Sequence, residues 1–316
     1  MLNEEQKEDL LFELMTSQTD KYDVSSQTVQ TRQDNYDEDV CWQYNIRVNN
    51  LEDDLKRCFL TKEEVSQLRT SDFTFKLLDT ERQRKEAVEF IKRHEWLGTI
   101  SQYTTHWFGA YYKDILSGVI LMNQPNAFSK ILGEDTPNLE RLVSRGACIS
   151  WSPKNLASNF LMWCVKYMVN NTQYRLFTAY SDPSAKELGT IYQACNWYYL
   201  GQTFGASRRY YSPYSDKLVS DRAFRCISFY KRYAKELGII WEKNWQNNQT
   251  MLWDNIPDDV EEQLRLMSKT KQEQTEYIIP PMKHKYAYVL GRNKKETKKL
   301  KKQMKLVKTY PYPKER

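Results

Sequence analysis

Histidine is scarce in this 316-residue sequence: only His94, His106 and His284 occur. The six cysteines, Cys41, Cys58, Cys148, Cys164, Cys195 and Cys226, lie far apart, with no CxxC and no Cys–His pair at zinc-ligand spacing. This pattern speaks against a structural zinc site, and no metal is expected. Long apolar runs are missing too, none approaching the roughly 20 residues of a membrane span. The acidic opening, Met1 to Leu10, lacks the layout of a signal peptide. Secretion and membrane insertion are not expected, so reduced thiols and a cytoplasmic location are the default reading.

What is present is aromatic and charged. Aromatics make up 14% of the chain, with 22 Tyr and 9 Trp, which suits planar contact surfaces as well as core filling. A 40% hydrophobic share supports a packed core, while a mean hydropathy of -0.77 leaves much of the chain in water. The length fits one large domain or two modest ones. The net charge of +6 is unevenly spread. Residues 1–60 carry 14 Asp/Glu against 6 Lys/Arg, whereas residues 283–316 carry 13 Lys/Arg against 2 Asp/Glu. A basic tail of this density points to a polyanionic partner, or else to a solvated tail with no specific role.

Helical spacing is expected for Glu4–Met15, and the polar stretch Thr16–Val40 has the composition of a weakly ordered arm. Thr61-Lys62-Glu63-Glu64 has the form of a capping box. Thr80–Arg93 reads as an amphipathic helix running into Gly98 as its stop. Thr105–Tyr112 and Leu116–Met122 flank the polar break Lys113-Asp114 as a hairpin. A strand follows at 139–149, a helix at 156–169 and a strand at 174–180. Then come a helix at 184–195 and an aromatic strand at 196–204. Asp221–Leu237 reads as one helix, Gly238 as a turn, Ile239–Asn247 as a second helix and Val260–Lys271 as a third. A β-prone segment returns at Lys285–Leu290. The outline is α+β with an insertion.

Three groups of residues could carry chemistry. In the first, Ser152-Pro153-Lys154-Asn155-Leu156-Ala157-Ser158 opens a helix, whose unpaired N–H groups and partial positive charge suit an anion. Lys154, Asn155 and Ser158 add charge and polar contacts, and Arg141 lies on the strand before them. The loop has no glycine, and its side chains would hold a pyrophosphate away from the backbone. An ordinary cap by Ser152 or Asn155 fits the spacing equally well. In the second group, Asp182 in Tyr180-Ser181-Asp182-Pro183 stands where a strand meets a helix, a usual place for functional groups. It is followed by Glu187, Tyr192 and Asn196. Capping explains Asp182 and packing explains Tyr192 as readily as catalysis does, with Tyr192 as a proton donor. His106 starts an aromatic strand, where a structural role is the commoner one.

The third group is basic. Arg208 and Arg209 precede the helix containing Arg222 and Arg225, and Gly238 gives it the look of a helix-turn-helix. Lys283, Lys285, Lys294, Lys295, Lys298 and Lys299 follow. Cations interleaved with tyrosine suit phosphates and unstacked bases.

Taken in order, several segments resemble the Mom-like DNA-modification proteins of bacteriophages. They are His94-Glu95-Trp96-Leu97-Gly98, Thr105-His106-Trp107-Phe108-Gly109, Glu140-Arg141-Leu142, Pro153 to Ser158, Tyr180 to Pro183, Gly189 to Gly201 and Lys283-His284-Lys285-Tyr286. The resemblance implies a divergent GNAT-like N-acyltransferase fold, a mixed central sheet flanked by helices. The chain is read as an acidic N-terminal extension (1–75) that falls outside the resemblance, a catalytic core (76–205), a helical insertion (206–282), and a last strand with a basic tail (283–316). The resemblance further implies a transferase acting on the exocyclic N6 amine of adenine in double-stranded DNA, giving a carbamoylmethyl-type modification that evades host restriction. On that likeness, Pro153 to Ser158 takes the place of a cofactor-pyrophosphate loop, and Asp182 and Tyr192 lie near the reacting amine. An acyl-CoA-like donor fits the fold, and the missing glycines argue against it. Trp107, Tyr111, Trp151 and Tyr180 are candidates to stack on an extruded base. The alternatives are an acyl-CoA-dependent N-acyltransferase acting on another amine, and a non-catalytic DNA-binding protein.

Overall fold

The computed structural model describes residues 40–314, apart from 102, 126, 204–207, 217, 249 and 305. The helix expected at Glu4–Met15 and nearly all of the polar arm after it lie outside the described residues. The chain divides into two compact units, one running to Thr203 and resuming at Lys283, the other spanning Phe204–Met282.

The first unit opens with α1 (Trp42–Arg57) and α2 (Lys62–Ser66). The capping box forms as spelled: Thr61 Oγ1 accepts the Glu64 N–H at 3.2 Å, and Glu64 Oε2 accepts that of Thr61 at 2.7 Å. β1 (Phe73–Leu77) leads into α3 (Glu81–His94), which Thr80 caps and which turns Ala87, Phe90 and Ile91 inward. β2 (Thr104–Tyr112) and β3 (Ile115–Asn123) form the expected hairpin. β4 (Glu140–Cys148), α4 (Leu156–Asn171) and β5 (Leu176–Ser181) follow, then α5 (Thr190–Ala194) and β6 (Tyr198–Thr203). The helix expected over 184–195 is cut down to a 3-10 turn at Pro183–Ala185 and the five residues of α5. Lys186 and Gly189 interrupt it with left-handed backbone, φ 56 and φ 69. At Gly189 a Cβ would come within 2.4 Å of the Tyr286 ring, so only glycine lets α5 approach the sheet so closely.

The second unit holds β7 (Arg209–Tyr211), β8 (Leu218–Ser220), α6 (Ile227–Glu236), β9 (Gln246–Asn247), β10 (Thr250–Met251), α7 (Asp258–Gln274) and β11 (Tyr277–Ile278). Its core gathers Tyr210, Phe224, Tyr230, Tyr233 and Leu264. Two of the expected helices take other forms. Asp221–Leu237 is a 3-10 turn (Asp221–Arg225), an extended Cys226 and then α6. Ile239–Asn247 is largely extended, with a 3-10 turn at Lys243–Trp245, so no helix-turn-helix forms. Ile239 and Trp241 pack on the unit's core, and Trp241 meets Trp245 edge-on at 5.5 Å. Ile239 and Trp241, two apart, reach the same core from non-helical backbone, whereas in a helix they would point to nearly opposite sides.

β12 (Lys283–Val289) and α8 (Lys294–Met304) return to the first unit, so much of the expected basic tail is a helix. The sheet order is β1-β2-β3-β4-β5-β12-β6. β4 and β5 run parallel, and the other neighbouring strands run antiparallel. This is the α+β mixed sheet flanked by helices that the sequence implies, interrupted before its last strand. β1 pairs with β2, so the core begins ahead of residue 76. Side chains alternate across the sheet. α4 covers one face through Phe160, Cys164 and Val165, above Phe108, Met122 and Phe177. On the other face, α1 and α3 cover Val119 and Leu121, and α8 covers Leu176, Ala287 and Val289. Among the described residues no helix is long and apolar enough to cross a membrane.

One irregularity positions the site. The β4–β5 ladder pairs only Glu140–Val143 with Leu176–Ala179. Past it, β4 continues to Cys148 beside β3, and β5 reaches Ser181 beside β12. The two strands part at their carboxyl ends, and the sheet opens there.

Candidate active site

Asp182 stands at the end of β5, on the rim of this opening. Its Oδ1 accepts the Ser184 N–H at 3.0 Å and so caps the Pro183–Ala185 turn. Its Oδ2 lies 2.8 Å from Lys283 Nζ, one position beyond the His284–Ser181 register pair. Burial works to raise the Asp182 pKa, but the Lys283 ammonium and the Ser184 N–H hold it below the ordinary carboxylate value.

Glu187 folds back on the same turn. Its N–H donates to Asp182 O at 3.2 Å, and its Oε2 accepts the Asp182 N–H at 3.4 Å. The Trp96 side chain hydrogen-bonds its carboxyl. Burial, followed by the neighbouring Glu95 carboxylate, pushes the Glu187 pKa up to about 7. Glu95, just past α3, is itself buried and accepts the N–H groups of Leu97 at 2.9 Å and Gly98 at 2.6 Å. Arg145 reaches from the parted half of β4 to within 3.9 Å of Glu95 and donates to Thr99 O at 2.7 Å. Tyr192, on α5, packs between Trp197 and Tyr286, with ring centroids 5.1 and 5.2 Å away. Burial first and the Glu187 charge next push its hydroxyl well above the usual tyrosine range, against the pull of Arg145.

The start of α4 borders the same end of the sheet. Arg47 of α1 donates to Ser150 O at 2.8 Å and also to Ser152 O, which fixes the approach to the helix. Asn155 takes left-handed backbone at the N-cap (φ 70), and its side chain makes no capping bond. Ser158 Oγ donates to Asn155 O at 3.0 Å, and Cys195 Sγ approaches Ser158 O at 3.6 Å, so the first turn of α4 touches the end of α5. Lys154 and Asn155 are exposed. Together they give the helix start the features of an anion site beside the opening.

Two expected members are elsewhere. Arg141 pairs with Phe177 in the intact part of the ladder and lies over the Tyr174 ring at 3.7 Å, bonded to its hydroxyl. His106 meets the same Tyr174 edge-on at 5.8 Å. Burial first, and the charge of Arg141 second, lower its pKa. Strand direction is the reason for the separation. Arg141 lies near the start of β4, in its paired half, and a rise of about 3.3 Å per residue puts it about 13 Å from Arg145 in the parted half. Among the stacking candidates, Tyr111 and Trp151 are buried in the core, whereas Trp107 and Tyr180 stay partly exposed. Lys285 Nζ lies 5.7 Å from the Tyr180 ring centroid.

The basic residues fall into separate sets. Lys283 and Lys285 flank the opening through Asp182 and Tyr180. Lys294, Lys295, Lys298 and Lys299 are exposed on α8, toward the amino end of β5, where Arg175 and Glu296 pair at 2.6 Å. A shallow cavity of about 730 Å³ is lined there by Arg292, Lys294, Lys298, Lys301 and Lys302. In the second unit, Arg208 lies over Tyr277 at 4.3 Å, Arg209 and Arg222 are exposed, and Arg225 pairs with Asp221 at 3.1 Å. Sequence reasoning missed Glu95, Trp96 and Arg145 as members of the site. They come from elements remote in the chain; the signals were the His94 to Gly98 segment, which shares the family likeness, and an arginine in the middle of a strand.

Among known proteins, the model of the Mom protein family matches residues 77–314. None of the curated proteins matches the sequence. Three solved structures are similar to parts of the chain. An N-acetyltransferase from Staphylococcus aureus Mu50 has 11% identity, with 69% of this chain and 97% of that one covered and a TM-score of 0.35. A probable acetyltransferase from Staphylococcus epidermidis ATCC 12228 has 11% identity, coverage of 43% and 90%, and a TM-score of 0.32. FeeM, an N-acyl amino acid synthase from uncultured soil microbes, has 13% identity, coverage of 42% and 83%, and a TM-score of 0.29. Likeness this slight decides nothing about chemistry, but the family model runs from the end of β1 almost to the last residue, and the chain belongs to the Mom protein family.

Proposed function

We propose that this protein is a transferase that modifies the N6 amine of adenine in phage DNA, leaving a carbamoylmethyl-type group that hides the DNA from host restriction. The observation that carries the reading is the convergence of Asp182, Glu187, Tyr192 and Arg145 where β4 and β5 part, beside the cationic start of α4. The adenine amine is a weak nucleophile because its lone pair is shared with the ring. An enzyme must hold it against the donor and remove one proton, which calls for a fixed acid–base set in a sheltered opening. Inside a duplex that amine is stacked, so the base must be extruded. Tyr180, partly exposed and flanked by Lys285, is suited to receive it. The exposed lysines of α8 supply phosphate contacts.

The test is nucleoside mass spectrometry of DNA from cells expressing the chain. A mass-shifted deoxyadenosine is expected, and it should disappear with Asp182→Ala. Unmodified nucleosides from cells that make folded protein would refute the reading, and full modification by Asp182→Ala would remove Asp182 from it. The α4 start also favours a second reading, acyl-CoA transfer to another amine. It requires saturable CoA binding by calorimetry that Lys154→Ala weakens.

A further inference from the structure

Two carboxyl groups share the rim of the opening, and the reaction asks one of them to take a proton. We propose that Glu187, rather than Asp182, is the proton acceptor for the adenine amine. This rests on the adenine-modifying reading above.

Asp182 is committed elsewhere. One oxygen caps a turn and the other holds Lys283 at 2.8 Å, so protonating it would break an ion pair. A carboxylate held below its usual pKa is also a poor base. Its geometry suits a positioning residue that keeps Lys283 and the turn before Glu187 in place.

Glu187 is in the reverse situation. Among the described residues it forms no ion pair; its carboxyl takes only neutral hydrogen bonds, from the Trp96 side chain and, at a long 3.4 Å, from the Asp182 N–H. The charged and titratable groups around it come from every neighbouring element. Glu95 follows α3, Asp182 ends β5 with Lys283 of β12 beyond it, Arg145 projects from β4, and Tyr192 sits on α5. Arg145 is engaged by Thr99 O and Ser144 O, which leaves two carboxylates as the nearest influences on Glu187. The residue as a whole keeps partial exposure while its carboxyl is desolvated, and a pKa of about 7 gives it far more basicity than an ordinary carboxylate at the same pH.

The step balances with a carbon electrophile as donor. The N6 lone pair forms the new N–C bond, and the donor's bond to its leaving group breaks with the electron pair going to that group. N6 passes one of its two protons to the Glu187 carboxylate and ends as a neutral secondary amine.

Clarified lysate of expressing cells, which carries the donor, is incubated with duplex DNA from pH 5.5 to 8.5, and the modified nucleoside is measured. The wild-type rate should fall about tenfold per pH unit below 7. Glu187→Gln should lose on the order of 100-fold at pH 8, the range of general-base effects, and any residual rate should lack the acidic limb. Glu187→Asp should recover part of the rate. A Glu187→Gln rate within threefold of wild type, or an acidic limb near 7 that survives in it, would overturn the proposal.

Thermal melting gives a readout that does not need the donor. The folded carboxyl keeps its proton to about 7, whereas an unperturbed one loses it near 4.5. The stabilisation from the protonated form is therefore present below 4.5 and lost as pH rises through 7. Wild type and Glu187→Gln should melt together at pH 4.5, and the variant should melt higher at pH 8. Identical curves at both pH values would refute the raised carboxyl and the proposal with it. If wild-type lysate gives no modified nucleoside while the melting difference is present, the adenine reading is what has failed.

Discussion

Single side chains at this site take their character from residues far away in sequence. Asp54 of α1 shows this in its stability role. It is 1% exposed, and its Oδ1 receives Arg93 Nε at 3.0 Å and Nη2 at 2.7 Å. Its Oδ2 lies 3.4 Å from Ser150 N, at the head of the loop that leads to Lys154. Asp54→Ala would leave a loop N–H without its acceptor and the Arg93 guanidinium with only the exposed Asp53 carboxylate, 2.7 Å from its Nη2. The expected loss is about 1–3 kcal/mol, the scale for removing a buried acceptor, measurable by urea denaturation. A loss under about 0.5 kcal/mol would place the network outside the stability of the fold. The same remoteness limits what sequence shows. Asp182 and Tyr192 are legible because a strand end, a turn and a short helix follow in a single stretch. Glu187 lies in that stretch too, yet its basicity depends on burial and on Glu95, from beyond another helix. Arg141 and His106 were readable as polar residues in strands, but not as residues at the wrong end of them.

Elements were legible where local chemistry decides them. The Thr61 and Thr80 capping boxes fix two helix starts within a residue of expectation. The short α5 was not legible, since its length follows from Gly189 meeting Tyr286, a contact across 97 residues. α8 reads from sequence as a basic tail because lysine dominates it, and only Leu300 and Met304, buried on β5 and β12, reveal a packed helix. Past α8 the chain bonds to β6, with Tyr310 N donating to Tyr199 O at 2.9 Å and the Tyr312 hydroxyl to Trp197 O at 2.7 Å. This covers an edge that would otherwise invite pairing with another chain. Anchored at both ends, α8 presents Lys294, Lys298 and Lys301 on one exposed stripe, at spacings of four and three. Replacing all three with Glu should leave the circular dichroism spectrum intact. It should flatten the dependence of log K on log[salt] for duplex DNA by about 2–3, at roughly 0.9 per lost phosphate contact. An unchanged slope would remove α8 from DNA binding.

At the scale of the whole molecule, the insertion was visible as a change from mixed β pattern to helical pattern after residue 205, and the structure explains why the chain tolerates it. Thr203 and Lys283 are direct register partners in the β6–β12 pair, so the second unit leaves and re-enters the sheet across a single antiparallel step. Opposed Cα atoms in such a pair are about 5 Å apart, which a two-residue turn closes. Among its described residues, the second unit gathers a hydrophobic cluster of its own around Tyr210, Phe224, Tyr233 and Leu264. Joining Thr203 to Lys283 through Asn-Gly should therefore make β6 and β12 a plain hairpin. The Asp182–Lys283 ion pair and the whole rim of the opening are kept. The shortened protein is expected to melt in one cooperative transition, with the near-ultraviolet signal of a packed aromatic core. A molten or aggregated product would mean that the sheet needs the inserted unit to close. A folded product that no longer modifies DNA in cells would instead assign the insertion, with Arg208, Arg209 and Arg222, to holding the substrate rather than to building the catalytic fold.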